Sequence, residues 1–394
     1  MSQYKILIVD DEPFNVDYLE QELEGSNYII ASAINGQNAL DMVEADPPDL
    51  VLLDIMMPVM DGFETLRRLK ANPSTRGIPV IVISASNDLQ SIVKGIQIGA
   101  EDFLPKPFEP TLLHARVSSS LEKKRLLDLQ HVYMKGLERE FDIAREIQLC
   151  FLPSELPNVA GWEFAAYFKA AHEVAGDFYD AFQLPDGNLI YVIGDVCGKG
   201  VGAALFMTLF RSLIRVTSTT DIYCYGHEKK PLSPVERLQH VVSFTNKYVV
   251  ETHGEANMFA SVFIGLINIQ DGALYYANCG NESPLILRNG SVFKTLQPTG
   301  PVIGIIPDAE FSINEIKMEK GDLLLGYTDG IPDSKNAEDF FFGSAQLTAT
   351  LNQVINNPID LLQSIRSQLI EFTGLADQYD DITMLAVKNN MAPN

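Results

Sequence analysis

Four short apolar runs near the start of the chain each lead into a residue able to do chemistry, and this recurrence constrains the fold more than any other feature. Ile6-Leu7-Ile8-Val9 runs into Asp10-Asp11, and Leu50-Val51-Leu52-Leu53 runs into Asp54. Pro79-Val80-Ile81-Val82-Ile83 ends at Ser84, and Asp102-Phe103-Leu104 is followed closely by Lys106-Pro107. Short apolar runs separated by amphipathic stretches predict parallel strands joined by crossover helices. In such a sheet the functional groups collect outside the carboxyl ends of the strands. Asp10, Asp11 and Asp54 crowded there repel one another, so a hard divalent cation is the expected occupant. Lys106 and Ser84 add a charge and a hydroxyl suited to holding a phosphoryl group on Asp54.

These residues, within about 3 to 120, resemble a response-regulator receiver domain. The resemblance implies a doubly wound, five-stranded parallel sheet and a histidine kinase that donates phosphate to Asp54. It implies Mg2+ held by Asp10, Asp11 and Asp54, with the backbone carbonyl of Met56 as a further ligand. Lys106 is then the partner of the phosphoryl group, Ser84 bonds to it, and Phe103 is the switch aromatic.

At 394 residues the chain has room for two or more domains, each with its own core. A formal charge of -23 predicts repulsion from nucleic acid and from anionic membrane, and no segment reads as a basic recognition helix. The tightest basic cluster, Lys123-Lys124-Arg125, reads as a solvated helix face. Cys150, Cys197, Cys224 and Cys279 match no metal-ligand spacing and point to a reduced, cytoplasmic chain. The first residues turn straight into a strand, with no signal peptide expected and no apolar run read as long enough to cross a bilayer.

The receiver's last helix is expected to start near Glu109, and nothing obvious stops it. Between Glu109 and Leu149 only Pro110 and Gly136 interrupt a sequence rich in leucine and charged residues. Leu127, Met134 and Phe141 recur every seven residues, with Leu137 and Ala144 between them. This partial heptad predicts a long helix able to pair with its copy in a homodimer, although Gln130 and Gln148 weaken the seam. The alternative is a lone helix packed on its own domain. Pro153 to Pro157 ends the helix. The expected organisation is a receiver over 1–120, a helical linker over 121–149, a third region over 150–388 and a disordered tail over 389–394. Ser218 to Pro234 reads as a loop.

The third region places carboxylates in turn-rich contexts: Ala175-Gly176-Asp177, Gly194-Asp195-Val196-Cys197-Gly198-Lys199-Gly200, Thr328-Asp329-Gly330 and Tyr379-Asp380-Asp381-Ile382-Thr383. Asp195 and Asp329 follow apolar runs, as expected at strand ends. Carboxylate-only sites suit Mg2+ or Mn2+ better than zinc. Two such ions can clamp a phosphate and deprotonate a bridging water for in-line attack. A lone Asp-Gly is usually a turn. Four acidic motifs in this order, preceded by Arg145-Glu146-Ile147-Gln148, resemble the metal-dependent protein phosphatases of the 2C type, in their RsbU and SpoIIE branch, over about residues 140 to 388.

That resemblance implies an α-β-β-α sandwich and two Mn2+ or Mg2+ ions held by Asp177, Asp195, Asp329 and Asp380. Val196 stands where many relatives have a glycine whose carbonyl binds metal, and keeps a carbonyl. Asp381 is the weaker candidate, one residue past the ligand. Ala175 replaces one of two usual glycines, and the turn Gly280-Asn281-Glu282 lacks a histidine common in relatives; neither position is a ligand by the resemblance. The implied activity is hydrolysis of phosphoserine or phosphothreonine on a protein, typically an anti-sigma-factor antagonist. A rival reading is a non-catalytic adaptor whose phosphatase-like domain only binds a partner.

Overall fold

The computed structural model describes residues 3–25, 27–85, 89–220, 232–352 and 357–391. The chain divides into two units, Met1–Glu138 and Arg139–Asn394. In the first, β1 (Tyr4–Val9), β2 (Tyr28–Ala33), β3 (Leu50–Asp54), β4 (Val80–Ala85) and β5 (Asp102–Lys106) form one sheet in the order β2-β1-β3-β4-β5. Every pairing is parallel. The helices α1 (Pro13–Leu23), α2 (Gly36–Ala45), α3 (Gly62–Ala71), α4 (Leu89–Ile98) and α5 (Pro110–Phe151) follow the strands in turn. All five residues of β3 are buried, as a central strand covered on both faces requires. Alternate residues serve opposite faces: Val51 and Leu53 join one apolar cluster, Leu50 and Leu52 the other. Asp61 starts α3 by accepting a hydrogen bond from the Glu64 amide, and Asn35 does the same for α2 at Asn38.

The second unit is a sandwich of two antiparallel sheets with helices outside. Its strands and helices are β6 (Trp162–Lys169), β7 (Phe178–Gln183), β8 (Leu189–Val196), α6 (Val201–Thr219), α7 (Pro234–His253), β9 (Ala260–Ile267) and β10 (Ala273–Cys279). Then come β11 (Leu285–Arg288), β12 (Ser291–Thr295), β13 (Asn314–Lys317), β14 (Leu323–Tyr327), α8 (Gly343–Leu351), α9 (Pro358–Thr373) and β15 (Ile382–Asn389). One sheet runs β13-β10-β9-β8-β7 and the other β12-β11-β14-β15-β6. Strand β8 shows how the layers form. Leu189, Tyr191 and Ile193 face the cluster shared with Leu324 and Leu385 of the other sheet, while Ile190 and Val192 face α6 and α7. Both faces of β8 are therefore apolar, and the strand reads as a continuous run.

The linker helix α5 is a single element of 42 residues. Leu113, Val117 and Leu121 at its start are buried in the receiver-like core. Beyond them Leu127 and Met134 are about half exposed, and Phe141 is partly buried.

Three sequence expectations are corrected here. Helix α6 has the length and apolarity to cross a bilayer, contrary to the reading that no run would, but Ala203, Met207, Phe210 and Ile214 pack one face of it into the core. Asn389, assigned to a tail, ends β15; it is buried, and its amide group donates to the Met318 carbonyl at 2.9 Å. Ser218 and Thr219, assigned to a loop, continue α6, and Ser233 forms a capping box at the start of α7. Residues 221–231, with Cys224, and residues 392–394 lie outside the described residues.

Candidate functional site

In the first unit the strand ends do converge. Asp10 and Asp54 are buried, Asp11 is exposed, and ligand oxygens of the three lie within 4.8 Å of one another. Lys106 at the end of β5 places its ammonium 2.6 Å from Asp54 Oδ1 and 2.9 Å from Asp10 Oδ2. The Met56 amide donates to Asp54 Oδ2 at 3.0 Å, and the Glu12 amide to Asp10 Oδ1 at 2.9 Å. Asn15 donates to both Asp10 oxygens. Burial raises the Asp54 carboxyl above its ordinary range and Asp10 adds to this, while Lys106 pulls the other way. Burial opposes the charge on Lys106, but its bonds to Asp54 and Asp10 prevail and its pKa is raised. Such an all-oxygen donor set fits a hard divalent cation.

Asp11, Asp54, Met56, Ser84 and Lys106 line one cavity of about 240 Å³. The Ser84 hydroxyl is buried with no hydrogen-bond partner among the described residues. A buried orphan donor beside an acidic residue suits an incoming phosphoryl oxygen. Phe103 sits on the next strand, partly buried, with the Arg116 guanidinium 5.5 Å from its ring centre.

In the second unit, Asp177 precedes β7, Asp195 lies near the end of β8, Asp329 follows β14, and Asp380 and Asp381 precede β15. Two glycines bring these segments together. A side chain on Gly330 would meet the Asp381 carbonyl at 1.8 Å, and one on Gly176 would meet the Val196 carbonyl at 2.7 Å. Asp177 is fully buried, and its Oδ2 accepts from the hydroxyls of Thr328 and Thr383 at 2.7 and 2.6 Å.

Charge is concentrated here without enough counter-charge. Burial, then Asp195 and Asp381, hold Asp177 well above the usual carboxylate range. Burial, then Asp329 and Asp380, push Asp195 up to about 7. Asp329 is pushed up to about 6 by burial, Asp380, Asp333 and Glu282. Among the described residues Lys199 supplies a cation to this group, 2.9 Å from Asp380. These carboxylates act on one another: Asp195 interacts with Asp177, Asp329 and Asp380, and Asp329 with Asp380. Buried carboxylates raised by mutual repulsion are what bound divalent cations would relieve, so the donor set fits Mn2+ or Mg2+.

Asp380 and Asp381 are differently used. Both Asp381 oxygens accept backbone hydrogen bonds, from Ala171 and Gly176, each at 2.8 Å. Asp381 thereby clamps the loop before Asp177, whereas Asp380 faces Lys199.

Several residues that position the site were given no role by the sequence, although Arg145 and Gln148 belong to the motif quoted ahead of the acidic segments. Gln148, read as a weak point in a helical seam, is buried. Its side chain bonds the Ala175 backbone twice, donating to the carbonyl at 2.7 Å and accepting from the amide at 3.0 Å. Arg145, one turn earlier, donates to the Glu173 carbonyl at 2.9 Å. The end of α5 therefore holds the loop that carries Asp177. Thr328 and Thr383 lay inside quoted motifs, but nothing local assigned them to Asp177. Glu282 and Asp333 extend the acidic field on the Asp329 side.

A parallel five-stranded receiver and an antiparallel sandwich with an acidic centre define a response regulator with an output domain of the protein phosphatase 2C type. The receiver domain model matches residues 6–118, and the chain belongs to the Stage II sporulation protein E (SpoIIE) family, whose model matches residues 185–390. Protein IcfG of Synechocystis sp. is 40% identical over 270 residues, which span 65% of this chain and 42% of IcfG. Response regulator PleD of Caulobacter vibrioides is 44% identical over 124 residues, 32% of this chain and 27% of PleD. The chain thus spans less than half the length of either relative. The SiaA-PP2C domain of Pseudomonas aeruginosa shares the sandwich fold at 21% identity and a TM-score of 0.54, covering 65% of this chain and 98% of that domain.

Proposed function

We propose that this response regulator hydrolyses phosphoserine or phosphothreonine on a partner protein, an anti-sigma-factor antagonist by analogy with the family, under control of phosphorylation at Asp54. The observation that carries the reading is the convergence of Asp177, Asp195, Asp329 and Asp380, whose charges act on one another, while Asp381 is occupied on both oxygens by the amides of Ala171 and Gly176. Bound divalent cations would supply Lewis acidity toward the phosphate and an acidified water as nucleophile. Asp177, Asp195, Asp329, Asp380 and the Val196 carbonyl are the proposed ligands. Thr328 and Thr383 fix the Asp177 carboxylate, and Lys199 orients Asp380.

In the receiver, Asp54 takes phosphate from a histidine kinase, with Asp10, Asp11 and the Met56 carbonyl holding Mg2+. Ser84 and Lys106 bind the phosphoryl group, and Phe103 responds to Ser84. We assign 1–120 to the receiver, 121–149 to a linker that pairs in a homodimer through Leu127, Met134 and Phe141, and the following residues to the phosphatase. We place the protein in the cytoplasm, away from nucleic acid and membrane. The test is hydrolysis of a chromogenic phosphate ester and a phosphoserine peptide with Mn2+. Turnover in the wild type that is lost in Asp195→Ala supports the enzyme. Binding of a phosphoprotein without turnover under any divalent cation supports the adaptor reading instead.

A further inference from the structure

A cavity of about 250 Å³ opens next to the acidic centre of the second unit, between β6, α9 and the segments carrying Lys335 and Tyr379. Tyr379, one residue before Asp380, forms part of its wall. Lys199 ties the two together, bonding the Tyr379 carbonyl at 2.9 Å and the Asp380 carboxylate at 2.9 Å. Through Tyr379 the cavity wall thus lies one residue along the chain from Asp380.

Its charge is opposite to that of the chain as a whole. Lys169, Lys335 and Arg366 line it, and none makes an ion pair among the described residues. Asp377 also lines it, unpaired with any of the three. In a sequence with 52 acidic and 29 basic residues, three cations left without carboxylate partners around one concavity call for an anion. Aromatic rings hold two of them in place. The Lys335 ammonium lies 4.3 Å from the Tyr379 ring centre and 4.9 Å from that of Phe341, and the Arg366 guanidinium lies 5.5 Å from that of Tyr167. Phe341, Ile370 and Leu375, on the same segments, are exposed. Exposed apolar side chains beside unpaired cations favour a protein segment over a free ion.

We propose that this cavity is a substrate subsite that takes an acidic side chain, carboxylate or second phosphate, near the phosphorylated residue of the partner protein. The inference rests on the phosphatase reading. Lys335 and Arg366 set specificity and touch none of the reacting atoms.

The test uses the full chain with Mn2+ and matched phosphoserine peptides, flanked on both sides by glutamate or by alanine. A third peptide carries a second phosphoserine in place of the glutamates. The wild type should have a KM for the acidic peptides lower by about tenfold, the size of one charge-assisted hydrogen bond. Lys335→Gln/Arg366→Gln should abolish that preference by raising KM for the acidic peptides, with kcat little moved. Comparison of glutamate with phosphoserine flanks identifies which anion is preferred. Peptide binding by fluorescence anisotropy is measured on the same samples, with circular dichroism to confirm folding. Equal KM for acidic and neutral peptides in the wild type, or a variant that loses both equally, overturns the subsite. Failure of the wild type to hydrolyse any phosphate ester overturns the phosphatase reading instead. In that case an acidic-peptide preference in binding still upholds the cavity as an anion site, and no preference overturns it.

Discussion

Gln148→Ala removes the contact through which the end of α5 holds the loop before Asp177. The wild-type side chain makes two hydrogen bonds to the Ala175 backbone in a buried setting. Each contributes about 1 kcal/mol net, and each backbone group left buried without a partner costs about 1–3 kcal/mol unless water reaches it. Alanine leaves room for some water, so about 2–4 kcal/mol is the expected loss to the ordered loop. At about 1.4 kcal/mol per factor of ten, this corresponds to about 30- to 1,000-fold in loop population. Losing a supporting contact behind a metal ligand typically weakens metal binding by about 10- to 100-fold, which sets the lower part of that range as the working figure. The assay is hydrolysis of a chromogenic phosphate ester against Mn2+ concentration. Half-saturation should rise by about 30-fold, with the rate at saturating Mn2+ largely recovered. Gln148→Glu should do no better, because a carboxylate cannot donate to the Ala175 carbonyl. Unchanged Mn2+ dependence in both variants would refute the idea that α5 orders the metal loop.

Asp54→Asn should abolish labelling by a small phosphodonor, since an amide cannot form the acyl phosphate, while Lys106→Ala should still be labelled but leave phosphatase rate indifferent to labelling. Asp380→Ala should raise the Mn2+ requirement directly, whereas Asp381→Ala should act mainly by releasing the Ala171–Gly176 loop and lower the melting temperature; the reverse pattern would shift the ligand register by one. Without metal, Asp195 holds a proton up to about pH 7 in the fold but releases it near pH 4 when unfolded, so its contribution to stability falls as pH rises between these values. Asp195→Asn should therefore melt higher than wild type in chelator at pH 8 and nearly the same at pH 4, a gap that scanning calorimetry would detect. Replacing Leu127, Met134 and Phe141 together by polar residues removes about 1.5–3 kcal/mol per fully buried side chain from a dimer seam; sedimentation should show a monomer, and its phosphatase rate should not respond to Asp54 phosphorylation. A triple variant that stays dimeric or switchable would direct the search to another route.

The receiver half was legible because each functional residue sits at the end of its own apolar strand, and the parallel topology puts those ends side by side. Asp10, Asp54 and Lys106 needed no long-range knowledge beyond strand order. In the second unit the local signals were glycine-flanked aspartates, which located the carboxylates but not their supports. Asp177 is held by threonines 151 and 206 residues away, and no local pattern records such distances. The clamping role of Gln148 was missed for a related reason. On a helix surface a glutamine interrupts an apolar seam, and only a loop 27 residues downstream turns it into a clamp. The unpaired cations were hidden in the same way, since sequence shows how many lysines and arginines there are but not which lack carboxylate neighbours. Their arrangement gives the domain a division of labour that composition conceals. On the proposed reading the acidic centre takes cations and the basic cavity beside it takes an anion. A phosphorylated residue with an acidic flank would satisfy both at once, whereas a small phosphate ester would engage only the first. Selectivity would then lie in Lys335 and Arg366 and turnover in the aspartates, so the two should respond separately to mutation.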